Sequence, residues 1–395
     1  MHSPTRIYIN PRPVPVQRSG TVATEPLAFH QRLPGYTPTP LHVLPVLAAR
    51  LGIAQLWLKD ETQRLGMPAF KLLGAAWAIY TALIERLGPA PAWAKLSDLA
   101  PWIAPLQPLC LAAATDGNHG RAVARMAQWL GCSAQIFVPA GTAAARIAAI
   151  AAEGAEVFVV DGTYDDAVAR SAAAANPHCL VISDTSWPGY EAVPRQVIDG
   201  YSTIFAELEA GQLPPHTAPP DVVFVQMGVG ALAAAAIGHY QQHATPPRII
   251  GVEPNRAACV LASLEANALT AVPGPHDSIM AGLNCGLPSL IAWPLLQSGL
   301  SATLAIDDAY ACQAVRELAA VGLRVGETGA AGLGGLLALA AQPELFHQIG
   351  LGPHSRVLLI ATEGITDPAA HTRLLAVTCQ HDCAHQRACV GAVVE

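Results

Sequence analysis

Charge is what this 395-residue chain has least of: 13% of its residues are Asp, Glu, Lys or Arg, about half the ~25% of an ordinary soluble domain. The formal net charge is −7 and no basic cluster occurs. That argues against a nucleic-acid partner, since phosphate backbones are gripped by grouped Lys and Arg. The uncharged stretch from Thr328 to about Pro343 is rich in Ala and Gly and ends at a proline; it is too short to span a bilayer. Pro11, Pro13 and Pro15 interrupt the opening segment, so a basic start, apolar run and cleavage site do not combine there. The expectation is a cytoplasmic protein with no membrane partner. The nine cysteines are odd in number and lack the dense spacing of a disulfide framework. In the tail, Cys379, His381, Cys383, His385 and Cys389 match no closed zinc pattern. The tail reads as a surface segment, and no metal is expected.

What is present is a large apolar complement. At 41.1 kDa and 52% hydrophobic, the chain is long enough for a large core in two domains or one big one. Only three lysines occur. Lys59 and Lys95 have ordinary polar or loop-like neighbours, whereas Lys71 sits in Pro68-Ala69-Phe70-Lys71-Leu72-Leu73-Gly74, apolar on both sides. A buried ammonium tends to lose its proton, and the neutral amine is then a nucleophile suited to a Schiff base. The bland alternative is a side chain whose stem packs at a helix end while its ammonium reaches water.

From about residue 109 the pattern becomes regular. Strands are expected at Leu109–Ala114, Ala134–Val138, Ala155–Val160 and Leu180–Ser183, separated by helices at Arg121–Leu130, Ala143–Ala152 and Asp165–Ala175. A helical stretch from about Val193 to Ala210 leads to the Pro-rich connector Leu213–Pro220. Strands at Val222–Val225, Ile249–Val252 and Val357–Ile360 follow, with helices at Leu232–Tyr240 and Ala309–Ala320. Strands alternating with helices imply parallel sheets. The expected fold is α/β, two doubly wound domains with a cleft between them, where ligands sit at the carboxyl ends of strands.

Four polar turns stand at those ends. Thr115-Asp116-Gly117-Asn118-His119-Gly120 opens a helix; it admits a ligand at its glycines and is equally a capping turn. Gln226-Met227-Gly228-Val229-Gly230-Ala231 offers successive N–H groups to an anion at a helix start, though a short G-x-G also serves as a plain turn. Ser183-Asp184-Thr185-Ser186-Trp187-Pro188-Gly189-Tyr190 sets a carboxylate after a strand, and Thr362-Glu363-Gly364 follows the last one.

With these motifs, and Met280-Ala281-Gly282-Leu283-Asn284-Cys285-Gly286, the chain from about residue 35 to 370 resembles the fold-type II pyridoxal-phosphate enzymes, the superfamily of the tryptophan synthase β-subunit and threonine dehydratase. Within it the chain is most similar to the diaminopropionate ammonia-lyases. Asp116 stands where general relatives carry Ser or a similar residue. The resemblance implies a large cofactor domain (residues 1–100 and 201–395), a small α/β domain (101–200) and an active site in the cleft between them. It implies a homodimer acting on a small amino acid: α,β-elimination of 2,3-diaminopropionate to pyruvate and ammonia. A serine/threonine dehydratase or β-replacing synthase is the alternative on the same scaffold, and a silent cofactor-binding homologue a third.

By that resemblance Lys71 carries pyridoxal 5'-phosphate. Gly228, Val229, Gly230 and Ala231 hold its phosphate, Asn118 meets the ring hydroxyl and Thr362 faces the pyridine nitrogen. A hydroxyl there leaves that nitrogen largely unprotonated, which favours β-elimination. Asp116 and Asp184 are the implied acid–base pair, one for each enantiomer, and Thr115, His119 and Tyr190 join them around the substrate. A carboxylate suits a substrate carrying a β-ammonium. Two features depart from the pattern: Pro68 replaces an expected Asn, and the segment between about Leu300 and Gly326 is short. Cys259 and Cys285 lie near the substrate side; compartment favours free thiols, and spacing leaves their pairing open.

Overall fold

A computed structural model describes residues 5–11, 25–115 and 117–376. Asp116 and the Cys/His tail lie outside the described residues. Eleven strands are present among them: β1 (Arg6–Ile9), β2 (Leu41–Val43), β3 (Gln55–Asp60), β4 (Cys110–Ala114), β5 (Ser133–Pro139), β6 (Glu156–Val160), β7 (Cys179–Val181), β8 (Val222–Gln226), β9 (Arg248–Pro254), β10 (Leu300–Ile306) and β11 (Arg356–Ala361). They form a seven-stranded sheet, ordered β1-β10-β9-β8-β11-β3-β2, and a four-stranded sheet, ordered β6-β5-β4-β7.

The smaller sheet is parallel throughout. The larger is parallel from β10 to β3, with short antiparallel edges at β1 and β2. Helices cover both faces of the central strands, so Val222 to Gln226 are all buried, as the unbroken apolar run requires. Strands β1, β2, β3 and β10 went unrecognised in the sequence pattern. The edge strands are three or four residues long and only partly buried, and β3 ends in Lys-Asp, which reads as solvent-facing.

The expected Val193–Ala210 helix is broken. It runs over Ala192–Tyr201, continues over Thr203–Glu207, and widens into a turn over Leu208–Gln212 where Gly211 takes φ 106°.

The Lys71–Leu87 helix is the pillar between the sheets. Eleven of its residues are buried, in one apolar cluster with Leu111 and Ile136 of the small sheet and Val223 and Ile360 of the large one. It touches the Ala192–Tyr201 helix through glycine. A Cβ on Gly74 would lie 2.5 Å from the Tyr201 ring, and one on Gly200 would lie 2.6 Å from the Leu73 carbonyl. The backbones can approach this closely only because both positions lack side chains.

Lys59 is the clearest departure from expectation. It is fully buried, with its Nζ 2.6 Å from Glu207 Oε2, 2.6 Å from Gln212 Oε1 and 2.8 Å from the Thr39 carbonyl. Arg64 joins Glu207 to Glu61, and all four charged side chains are 0–1% exposed. Burial pulls the Lys59 ammonium below its ordinary value, against the opposing pull of Glu61 and Glu207. Two cations and two anions leave the cluster neutral, which is how charge tolerates a dry interior.

Candidate active site

Lys71 is the first residue of its helix, placed there by backbone pairing far along the chain. Phe70 N–H donates to the Thr362 carbonyl, Gly364 N–H donates to the Pro68 carbonyl, and Ala69 bridges Glu363. The segment before Lys71 is thereby stitched to the segment after β11. Proline at 68 keeps its carbonyl for this pairing and has no N–H to spend.

Lys71 opens into a cavity of about 850 Å³, lined also by Thr115, Asn118, His119, Asp184, the 228–232 turn, Gln226 and Thr362. Residues 272–276 and 281–286, with Ser278 and Ile279, line part of its wall. Lys71 Nζ donates to Asp184 Oδ2 at 2.6 Å, and the two side chains are 23% and 8% exposed. The Lys59–Lys71 contrast in the sequence is therefore reversed: Lys59 is the fully buried lysine, and Lys71 is the one that reaches open space.

Burial by itself would raise the Asp184 carboxyl, but the charges of Lys71 and His119 and the Lys71 hydrogen bond outweigh it. The carboxyl is held well below the usual range. His119 is buried; its Nε2 lies 2.7 Å from the Ile182 carbonyl, which can only accept, so Nε2 carries a proton. Nδ1 then faces Asp184 Oδ2 at 4.0 Å. Tyr164, which no sequence signal marked, donates its hydroxyl to Asp184 Oδ1 at 3.5 Å. The rings of Phe70 and Tyr201 flank the Lys71 ammonium at 5.5 and 5.9 Å.

Across the cavity, the turn after β8 starts the Ala231–Tyr240 helix. Gly230 has φ +91°, and a Cβ there would come within 2.4 Å of Leu296 Cδ1; one on Gly228 would meet Cys285 Sγ at 3.0 Å. The first bond of the helix runs from Ala234 N–H to the Gly230 carbonyl, which leaves the preceding amides to serve an anion. Cys259 and Cys285 are not joined to each other in a disulfide, and Cys259 Sγ lies 3.7 Å from the Gly228 carbonyl.

Thr362 is 2% exposed and accepts a 2.8 Å bond from Gln226 Nε2. The same nitrogen lies 2.9 Å from the Ile360 carbonyl and 3.1 and 3.2 Å from those of Gly329 and Thr328. Carbonyls only accept, so the amide orientation is fixed. An amide nitrogen accepts nothing, so the Thr362 proton cannot point at Gln226. Asn118 begins the Asn118–Leu130 helix and donates from Nδ2 to Glu363 Oε2. Thr115 Oγ1 accepts from Gly117 N–H at 2.9 Å.

Tyr190 departs from its expected place at the substrate. Its hydroxyl donates to the Val181 carbonyl at 2.6 Å and accepts from Ser183 N–H, and its ring stacks on Trp187 at 4.3 Å. Both bonds of the hydroxyl go to backbone, and Tyr190 is not among the residues lining the cavity. It braces the turn that carries Asp184.

These features fit the cofactor that the sequence implies. A glycine turn whose amides have no backbone partner among the described residues suits the phosphate, a lysine amine stands in the same cavity, and a hydroxyl whose proton is not directed at Gln226 suits an unprotonated ring nitrogen. Comparisons with known proteins agree. The pyridoxal-phosphate dependent enzyme family matches residues 32–363. The chain is 36% identical over 368 residues to the diaminopropionate ammonia-lyase of Salmonella typhimurium, covering 89% of this chain and 91% of that protein. It is 36% identical over 358 residues to the Escherichia coli enzyme, covering 86% and 87%. The crystal structure of the Escherichia coli enzyme in complex with D-serine superimposes with a TM-score of 0.86 at 33% identity, covering 94% of this chain and 97% of that one. The same enzyme with an aminoacrylate-PLP azomethine reaction intermediate gives 0.84 at 32% identity, with the same coverage. A match over most of the length, joined to a cavity that suits the cofactor, makes this chain a member of the pyridoxal-phosphate dependent enzyme family.

Proposed function

We propose that this protein eliminates the β-amino group of 2,3-diaminopropionate, and that hydrolysis of the resulting enamine yields pyruvate and a second ammonia. The observation that carries this reading is the 2.6 Å Lys71–Asp184 pair in the cavity, in a chain so closely similar to diaminopropionate ammonia-lyases. When bound, pyridoxal phosphate withdraws electrons from the α-carbon and makes its proton acidic. Lys71 would anchor it, residues 228–231 would hold the phosphate, Asn118 would meet the ring hydroxyl, and Thr362 would donate to the ring nitrogen.

Asp184 would take or return a proton on one face of the substrate and attract its β-ammonium. Asp116, outside the described residues, would serve the other face. Thr115 and His119 would line the substrate's side of the cavity. Gln226 would keep the Thr362 proton directed into the cavity by offering it no acceptor. A neutral hydroxyl donor at that nitrogen favours expulsion of a β-group over reactions that need a long-lived carbanion. The same reading carries a cytoplasmic homodimer, with residues 101–200 as a small domain and 1–100 plus 201–395 as the large one. The four-stranded sheet falls wholly within the former range. Among the described residues, no helix is long and apolar enough to cross a membrane.

Incubation of the protein with L- and D-diaminopropionate, L-serine and L-threonine, with ammonia and pyruvate measured, tests the substrate. Turnover of serine equal to or better than diaminopropionate would replace this reading with the dehydratase alternative. Lys71→Ala should abolish the absorbance that the cofactor-loaded protein shows near the visible edge; a wild type that stays colourless with cofactor would sink the assignment. Asp116→Asn and Asp184→Asn should impair opposite enantiomers, and equal losses on both would refute the two-base arrangement.

A further inference from the structure

Away from the cavity, three side chains converge on one point. Glu209 Oε1 lies 2.8 Å from His239 Nε2 and 2.8 Å from His243 Nε2, and all three atoms are within 4.8 Å of one another. His239 sits in the last turn of the Ala231–Tyr240 helix. His243 follows four residues later, just beyond the helix end, which brings both rings to the same side. Glu209 comes from the widened turn at Leu208–Gln212. The His239 side chain is fully buried, while His243 is 29% and Glu209 39% exposed. The point they share is thus dry on one side and open to solvent on the other.

We propose that Glu209, His239 and His243 bind one divalent transition ion of the zinc class, with water in the fourth position. Two imidazoles and one carboxylate select zinc, nickel or copper over magnesium or calcium, which prefer all-oxygen sites. Zinc–nitrogen and zinc–oxygen bonds of about 2.0–2.2 Å in a tetrahedron place ligand atoms roughly 3.3 Å apart. Glu209 Oε1 therefore needs to retreat by about half an ångström from each ring, and the two Nε2 atoms, within 4.8 Å of one another, need to take up the same spacing; Glu209 and His243 are both exposed enough to adjust. Three ligands already aimed at each other need little ordering, and the helix C-terminus beneath them adds partial negative charge.

Without metal, each Nε2–H donates to Glu209. With metal, each Nε2 turns its lone pair inward and the ring proton moves to Nδ1. For His239 that nitrogen is buried with no partner among the described residues, so its proton goes unsatisfied. The missing outer-shell acceptor puts the dissociation constant on the order of micromolar, weaker than a closed structural zinc site.

Such an ion would clip the C-terminal end of the helix that begins at the Gly228–Ala231 turn to the segment that follows Glu207, the anchor of the buried Lys59–Arg64 cluster. It would be a structural brace, remote from the reaction.

The test is a cobalt and zinc titration of the chelator-treated, cofactor-loaded full-length protein, against His243→Ala and Glu209→Gln. The expected result is one equivalent of cobalt with a visible spectrum of nitrogen and oxygen ligation. Each substitution should weaken it at least tenfold, and zinc should raise the thermal midpoint of the wild type more than of either variant. His243 is partly exposed beyond its helix, so His243→Ala should fold normally. The Cys/His tail would announce itself by a near-ultraviolet thiolate charge-transfer band that alkylation removes. Cobalt binding with only that signature, binding unchanged in both variants, or no binding at about 100 times the expected constant would each overturn the proposal.

Discussion

Glu207 holds two buried cations at once, and its removal gives the sharpest test of how this fold keeps its charges. Glu207 Oε1 takes Arg64 Nη1 at 2.6 Å, and Oε2 takes Lys59 Nζ at 2.6 Å and Arg64 Nη2 at 2.9 Å. Tyr36 adds a hydroxyl at 2.7 Å. In Glu207→Ala, two cations face Glu61 alone, and the cluster carries an uncompensated positive charge with no exposed side chain to solvate it. Breaking a buried pair by removing one partner costs about 3–5 kcal/mol. With an unfolding entropy of about 2.1 cal/mol/K per residue, that lowers the thermal midpoint by roughly 4–6 °C for a chain of this length melting as one unit. Calorimetry of wild type and variant at pH 7 measures it. The double variant Glu207→Ala/Lys59→Met removes one cation along with the anion. It restores neutrality with Arg64 and Glu61 still paired, and should recover a large part of the loss. A single-variant loss below about 1 kcal/mol, or a double variant no better than the single, would refute the charge-balance reasoning.

Three further outcomes follow from the cavity. Gly230→Ala forces a side chain into φ +91° and against Leu296 at 2.4 Å, so cofactor affinity should fall at least tenfold by fluorescence titration; an unchanged affinity would detach this turn from the phosphate. Gln226→Met removes the donor that leaves the Thr362 proton for the cavity, and a lost net hydrogen bond of about 1 kcal/mol should weaken cofactor binding roughly fivefold. Gln226→Met binding as tightly as wild type would show that the Thr362 hydroxyl needs no such guidance. Asp184 has a folded pKa below its ordinary 3.8, so its contribution to stability is present above that value and lost as pH falls through the depressed one. Asp184→Asn should therefore destabilise the cofactor-free protein at pH 7, by a margin that shrinks below pH 4 in urea titrations; a margin independent of pH would mean that the carboxylate charge contributes nothing.

Much of the scaffold was legible because its signals are local. The helix and strand periods after residue 109, and the polar turns that end the strands, follow from side-chain spacing within a dozen residues. The turn chemistry at Gly228–Gly230 is of the same kind. Tyr190 shows the limit: a polar ring one turn from Asp184 reads as a substrate contact until its hydroxyl is found between two backbone groups. Tyr164 is the converse, a plain helix-start tyrosine whose meaning lies in the carboxylate it reaches 20 residues further along the chain. Gln226 was visible as a neighbour of the glycine turn, but its four acceptors come from Ile360 in β11, Thr362 just beyond it, and the backbone of Thr328 and Gly329.

The sequence by itself determined an α/β chain of parallel strands with polar turns at their carboxyl ends, and it singled out Lys71. Only the tertiary structure decided which lysine is buried. Lys59 is sealed by Glu207, 148 residues away, and Lys71 is set at the cavity by the pairing of Phe70 with Thr362 and of Pro68 with Gly364. The same holds for Glu209, which meets His239 from 30 residues away. Periodicity records which face of an element is apolar, because that depends on neighbours along the chain. The partner of a buried charge is chosen by the folded geometry, because only there do residues distant in sequence share a low-dielectric space.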